Sequence, residues 1–422
     1  MVRHNSHRPG NQALVREINL STIITHLYKH APVSRSALAE ITGLNKTTVS
    51  SLIQELLSYK FVRELGLAST GTGRPAMLMA LDPAAGFIVS CEIGVDFILA
   101  ICSNFAAEVI WRQQEMIEPG AKQEAIIASV LALLRQGIEV GCQAYGTLLG
   151  VAVGVPGLVD RETGTLLFAP NLTWQDVPLR AILENDLQLP VFVDNEANMA
   201  ALGEYYFGAA QDHDEVLYIS AGVGLGGGMV RHGQLVRGVA GFAAEFGHMT
   251  MDPEGKPCNC GNRGCWETQV SQAALFALIR QAIIEDGRAS ALSELAGHHL
   301  RKLTVPMVVD AARADDPVAL LALTRMGRHL GIGIASLLNA LNPKLVVFGG
   351  VLSLAGEFLL PAVNAEVRRR ALPWNEKGAR IVLAQHGFEA SVMGGVATIY
   401  QAILAQPAHM ARQSQRISAR LG

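Results

Sequence analysis

The sequence predicts an α/β protein in two parts: an N-terminal winged helix-turn-helix, then a duplicated α/β domain closing over a central cleft. Three observations carry that expectation. Residues 1–76 hold nine Lys/Arg against four Asp/Glu, a balance of +5, so the remainder must total −8 to give the formal −3 of the chain. Beyond residue 86 an order of strands, helix and strand occurs twice. One histidine and three cysteines are gathered between His248 and Cys265, in a segment punctuated by glycine, proline and asparagine.

The basic head occupies residues 1–81. Residues 1–17 are polar and read as an arm. A first helix follows, with Leu20, Ile23, Ile24 and Leu27 at helical spacing, ending near His30-Ala31-Pro32. Ser34 is placed to cap a second helix that buries Leu38 and Ile41 and stops at Gly43. Asn45 caps a third, whose inner face is Val49, Leu52, Ile53 and Leu56. Its outer face shows Lys46, Thr47, Thr48, Ser50, Ser51 and Gln54, donors suited to phosphates and base edges. That is the helix-turn-helix arrangement, with the third helix as major-groove reader. Phe61–Gly66 and Met77–Leu81 then read as strands flanking the tip Ser69–Pro75, a wing whose Arg74 could enter a minor groove. A small helical protein-interaction module is the alternative, and the basic balance and wing argue against it.

Asp82–Gly86 reads as the linker, and 87–422 as the body. Phe87–Ile93 and Phe97–Cys102 are expected to pair about a turn at Gly94-Val95-Asp96, with a third strand at Glu108–Trp111. A helix from about Lys122 to Cys142 leads to a buried strand, Leu148–Val155. Tyr218–Ser220 and Gly227–Arg231 repeat the opening hairpin, and Leu345–Phe348 and Arg380–Ala384 are later strands. Such a mixed sheet, used twice, collects ligands at strand ends and helix starts. Pro170-Asn171-Leu172 and Val193–Asn198 stand at such places.

Composition excludes other classes. Half the residues are hydrophobic and 17% are charged, the profile of a globular chain and not a disordered one. Two stretches lack Asp, Glu, Lys and Arg. Val140–Val159 is broken by glycines and reads as a loop and a strand; Ala390–Ala411 reads as one buried helix. Neither reads as a membrane span. No basic segment followed by an apolar run opens the chain, so no secretory signal is expected. Six cysteines, three of them in the cluster, fit a reducing cytoplasm better than a disulfide framework.

His248, Cys258, Cys260 and Cys265 offer three thiolates and an imidazole, the donor set of a closed structural zinc site. The spacing differs from the two-knuckle finger, so the metal is expected to pin the loop 245–267. Pinning it would also place Glu245 and Glu267, giving an acceptor-rich pocket of the kind that binds vicinal hydroxyls. Three unrelated cysteines in a turn are the bland alternative.

Glu245-Phe246-Gly247-His248 has the form Glu-x-Gly-His, and Cys258 to Glu267 has the form Cys-x-Cys-Gly-x-x-Gly-Cys-x-Glu. Together they resemble the ROK family of sugar kinases and sugar-responsive repressors, from about Gly86 onward, and the head resembles the winged helix-turn-helix of the family's regulators. The resemblance implies an actin/hexokinase-like fold. It implies that Asn171, Asn195, Glu196, Glu245, His248 and Glu267 contact a sugar, although helix capping would by itself account for Asn195 and Glu196. His248 would ligate zinc through one ring nitrogen and meet a hydroxyl with the other.

The family's kinases carry Asp-x-Gly-Gly-Thr in the opening hairpin, where this chain reads Glu92-Ile93-Gly94-Val95-Asp96. The second glycine and the threonine are gone, and Asp96 adds charge where a triphosphate would sit. Gly222–Gly228 keeps its glycines but has Val223 where kinases usually have threonine, and Gly349-Gly350 survives. The catalytic aspartate position falls on Glu196, one methylene longer, in chemistry sensitive to about 1 Å. These features imply a transcriptional regulator, a repressor of carbohydrate genes, that binds a monosaccharide without phosphorylating it. It would use zinc but no ATP, and bind operator DNA as a homodimer or homotetramer, away from any membrane. The alternative is an active ATP-dependent kinase with an appended DNA-binding head, and a third possibility is a regulator answering to a protein partner.

Overall fold

The computed structural model describes residues 12–68 and 76–421. Its head is built from α1 (Gln12–His30), β1 (Val33–Ser34), α2 (Arg35–Thr42), α3 (Lys46–Ser58), β2 (Val62–Ala68) and β3 (Ala76–Leu81). The expected caps are in place. Ser34 Oγ accepts from Ala37 N–H at 3.2 Å, Asn45 Oδ1 accepts from Thr48 N–H at 2.8 Å, and Gly43 ends α2 in the left-handed region at φ +70°. Caps of this kind are each worth about 1 kcal/mol. Leu20, Ile23, Ile24, Leu27, Val49, Leu52, Ile53 and Leu56 form the core of the head. β1, β3 and β2 make the wing sheet, and its tip at 69–75, with Arg74, lies outside the described residues, as does the start of the arm at 1–11.

Two expectations for the head are corrected. Residues 12–17 are helical and not an arm: Arg16 Nε donates to Glu55 Oε2 of α3 at 2.6 Å. Ile41 is 47% exposed, because α2 is only two turns long and Leu38 and Ala39 already fill the inner side.

The body contains two sheets of the same design. β4 (Phe87–Ile93), β5 (Phe97–Asn104) and β6 (Val109–Met116) form an antiparallel meander. After α4 (Gln123–Tyr145), β7 (Leu148–Val155) pairs parallel to β4. A small sheet of β8 (Leu158–Asp160), β9 (Thr165–Ala169) and β10 (Trp174–Val177) intervenes, with α5 (Leu179–Leu187). β11 (Val191–Asn195) then pairs parallel to β7, and α6 (Glu196–Phe207) leaves it directly. In the second half β12 (Glu215–Ala221), β13 (Leu225–Arg231) and β14 (Gln234–Leu235) repeat the meander.

Helices α7 (Gln272–Arg280), α8 (Leu292–Leu295), α9 (Val305–Arg313) and α10 (Pro317–Leu341) precede β15 (Leu345–Gly349), which pairs parallel to β12. α11 (Gly356–Arg370) and α12 (Pro373–Gly378) lead to β16 (Arg380–Leu383), parallel to β15. The strand orders β11-β7-β4-β5-β6 and β16-β15-β12-β13-β14 therefore correspond strand for strand. α13 (Ala390–Ala405) and α14 (Pro407–Leu421) complete the chain.

Further corrections concern helix ends. Residues 140–145 belong to α4 and not to a loop, with Gly146 as its left-handed cap. The uncharged run 390–411 is two helices, since Pro407 follows the break at Gln406. By length and apolar composition α4, α10 and Gly387–Ala405 could each cross a membrane, yet 50%, 61% and 67% of those windows are buried within the protein.

Segment 82–86 is packed: Ala85 is 3% exposed, Asp82 N–H donates to Phe61 C=O at 3.0 Å, and Phe105 N–H donates to Pro83 C=O at 3.3 Å. One continuous hydrophobic core joins head residues such as Leu27 and Phe61 to Phe105, Tyr206 and Tyr400 of the body.

Candidate ligand cleft and metal centre

The strand ends of both sheets and the start of α6 converge on one cavity of about 620 Å³. Asn171, Asn195, Glu196, Glu245, His248 and Glu267 all line it. So do Glu92–Asp96 from the first hairpin turn, Gly222–Gly226 from the second, and Gly350.

Asn195 caps α6: its Oδ1 accepts from Ala197 N–H at 2.8 Å and Asn198 N–H at 3.0 Å. Its amide also donates to Gly157 C=O at 3.0 Å and to Glu196 Oε2 at 2.9 Å. Capping thus orients the neighbouring carboxyl as well as the helix. Asp194, one residue back, accepts from Asn195 N–H at 2.8 Å and is held in an ion pair with Arg237, Nη1 to Oδ1 3.2 Å. The sequence offered no sign of that partnership, because 43 residues separate the pair.

Burial governs the electrostatics. It pushes the Glu196 carboxyl up to about 8, with the negative charge of Glu92 and then Glu245 acting in the same direction. Burial likewise pushes Glu92 up to about 8, and it raises Glu245 against the opposing pull of His248. The pocket therefore presents carboxyl groups that can donate as well as accept near neutral pH.

The opposite wall is the loop 245–267. His248, Cys258, Cys260 and Cys265 place their donor atoms within 4.8 Å of one another. Cys258 Sγ is 3.8 Å from His248 Nδ1, and Cys260 Sγ is 3.7 Å from Cys265 Sγ. A tetrahedron with metal–sulfur bonds of about 2.3 Å has edges of about 3.8 Å, so these side chains are spaced to hold one ion of that size. Trp266, fully buried and donating Nε1–H to His329 C=O at 3.0 Å, anchors the loop from beneath. Glu267 follows it, with Oε1 2.8 Å from Cys258 Sγ and Oε2 accepting from Leu225 N–H at 3.4 Å. Between the cysteines, Asn259 Nδ2 donates to Asn171 Oδ1 at 2.9 Å. The cysteine loop thus braces a cleft residue 88 positions away, which spacing alone could not disclose.

On the head, Asn45, Lys46, Thr47, Ser50 and Ser51 are exposed at the start of α3, and Thr48 is half-buried. Sequence reasoning treated Glu92 only as a departure from a phosphate loop and did not single out Ser391. Both line the cavity.

Two matching sheets closing over a cavity at their strand ends define the hexokinase-like class of sugar-kinase folds. Comparison with solved structures agrees. A ROK family transcriptional regulator, homolog of the E. coli MLC protein, superposes with a TM-score of 0.81 at 27% identity, covering 94% of this chain and 99% of its own. A ROK family glucokinase from Streptomyces griseus, solved with glucose and AMPPNP, gives 0.68 at 33% identity and covers 75% of this chain and 100% of its own. A putative xylose repressor of Caldicellulosiruptor sp. (strain Rt8B.4) is 37% identical over 398 residues, 94% of this chain and 99% of the relative. The family model described as ROK family matches residues 88–402, and the chain belongs to that family.

Proposed function

We propose that this protein is a sugar-responsive transcriptional repressor that binds a neutral monosaccharide in the cleft and does not phosphorylate it. One observation carries the reading: the six sugar-facing candidates share a single cavity with a turn, Glu92–Asp96, ill-suited to a triphosphate. The relative named a putative xylose repressor supports xylose as the effector, and the likeness to it and to the transcriptional regulator extends over 94% of the chain. The glucokinase likeness keeps a kinase in view as the second reading. Against it stand Asp96 on the cavity wall and Glu196 at the kinase base position, where placement matters to about 1 Å.

His248, Cys258, Cys260 and Cys265 would hold a structural zinc that keeps Glu245 and Glu267 in position and carries out no reaction. The head would read operator DNA, with Asn45, Lys46, Thr47, Thr48, Ser50 and Ser51 of the α3 region in a major groove and Arg74 at the wing tip in a minor groove. Two reader helices need two half-sites, hence a symmetric homo-oligomer.

Helix α6 offers a route between the two functions. It begins at Glu196 in the cleft and ends at Tyr206 and Phe207, where Tyr28 of α1 donates its hydroxyl to Tyr206 C=O at 2.8 Å. Tyr28 also meets Tyr400 at 5.3 Å between ring centroids, and Phe61 meets Phe105 at 5.6 Å. Closure of the lobes around a sugar would tilt α6 and with it the heads. The packed segment 82–86 leaves little slack to absorb such a motion.

The test is an operator titration with and without D-xylose, together with a coupled phosphorylation assay. Xylose should weaken operator binding by a factor in the range of about 5–150, and no phosphate should be transferred. Coincident titration curves would remove the cleft as an effector site, and turnover of ATP would favour the kinase.

A further inference from the structure

The floor of the cleft holds two polar atoms that no protein group bonds with full hydrogen-bond geometry. Glu92, near the end of β4, is 8% exposed, and its Oε2 has no hydrogen-bond partner. The Ser391 hydroxyl at the start of α13, 5% exposed, likewise lacks a bond of full geometry, although it stands near enough to Glu92 to pull that carboxyl down against the larger effect of burial. Both residues line the cavity that contains Glu196. A glycine lets them gather: Gly154 of β7 is the register partner of Glu92, and a Cβ there would lie 2.8 Å from Ser391 Oγ and 3.5 Å from Glu196 Cα. Buried polar atoms without a well-formed bond are rare and costly, so two of them on residues of one cavity wall point to a ligand that completes them.

Resting on the sugar-binding reading above, we propose that Glu92 and Ser391 form, with Glu196, a second hydroxyl-binding subsite, so that a neutral polyol is gripped from both lobes. Glu245, His248 and Glu267 hold it from the metal-loop wall, and Glu92, Ser391 and Glu196 hold it from the floor. The chemistry suits an uncharged sugar. A hydroxyl both donates and accepts, and a pair of buried carboxyls that retains a proton can answer it in both senses. A phosphate brings acceptors and negative charge, which the same pair rejects. The titratable groups facing Glu92 are Glu196 from α6 and Tyr218 from β12, with Cys91 beside it in β4 and Glu245 beyond Glu196. Glu92 thereby occupies the cavity as a ligand contact, in addition to spoiling it for nucleotide.

The experiment uses the full zinc-loaded chain and D-xylose in calorimetric titrations from about pH 6.5 to 9. Wild-type affinity should fall as pH rises through about 8, where burial places both carboxyls. Glu92→Leu should lower affinity on the order of tenfold or more, the loss of a buried hydrogen bond to a ligand. Glu92→Gln, which keeps a donor and an acceptor at every pH, should bind within a few-fold of wild type with a flatter pH profile. Melting temperature and zinc content, measured on each variant, separate loss of contact from loss of fold. Wild-type binding with Glu92→Leu equal to it in affinity and pH profile overturns the subsite and leaves the sugar reading standing. If the wild type itself binds no D-xylose, the fault lies in the sugar reading, and the subsite falls with it.

Discussion

The two hairpin turns that line the cavity come from matching places in the two sheets, yet they present different side chains to it. The first, between β4 and β5, reads Gly94-Val95-Asp96; the second, between β12 and β13, reads Gly222-Val223-Gly224. They differ in the third residue. Asp96 projects a carboxylate from the first turn. At Gly224 a Cβ would stand 3.0 Å from Glu267 Oε2 and 3.2 Å from Asn171 Nδ2, so the second turn must stay bare for those two side chains to reach the cavity. Of two matching turns, one carries a carboxylate on the cavity wall, and the other stays bare beside Glu267 and Asn171.

Making the second turn copy the first should have the largest effect. Gly224→Asp drives a side chain into Asn171 and sets a carboxylate against Glu267, so xylose affinity should fall more than about a hundredfold. Calorimetric titration measures it, and affinity within threefold of wild type would show that Gly224 is not needed bare. Next comes the clamp behind that wall. Cys260→Ala should lose zinc in metal analysis and weaken xylose binding on the order of 10–100-fold, because Glu267 and Asn171 are braced through the loop. Intact sugar affinity in a metal-free protein would detach the loop from the site.

The smallest effect concerns stability against pH, and it distinguishes the first-lobe wall. Glu92 and Glu196 have folded values of about 8 against an ordinary 4.5, so between those limits the folded protein binds more protons than the unfolded chain. Their contribution is therefore fully present below about pH 4.5 and is lost as pH rises through about 8. The melting temperature should fall on the order of a few °C from about pH 6 to 9, and less in Glu196→Gln. An identical decline in the variant would assign the loss to other groups.

Much of this molecule is written locally. Ser34 and Asn45 mark helix starts through bonds spanning three residues, Gly43 marks a helix end through its positive φ, and all three stand where periodicity places them. Leu148–Val155 is legible as a strand because it is a short, uncharged apolar run, and every residue in it is buried. Ile41 misled because helical spacing names a face without saying how much of it the fold has partners to cover. The end of α4 and the break before α14 were obscured by uncharged runs, in which composition hides the boundary between elements.

By itself the sequence determined the basic head, the donor set His248, Cys258, Cys260 and Cys265, and the pair of carboxylates beside it, since these depend on residue type at short separation. Tertiary structure alone decided that Asn259 braces Asn171, that Arg237 holds Asp194, and that Tyr28 rests on the end of α6. It also decided that Glu92 and Ser391, both shielded from water, line one floor with the half-buried Glu196. The reason is physical. Hydrogen bonds within a turn are set by a few dihedral angles, whereas contacts across 40 to 300 residues exist only once two sheets have been wound and closed. The properties of a buried carboxyl depend on the solvent that this closure removes.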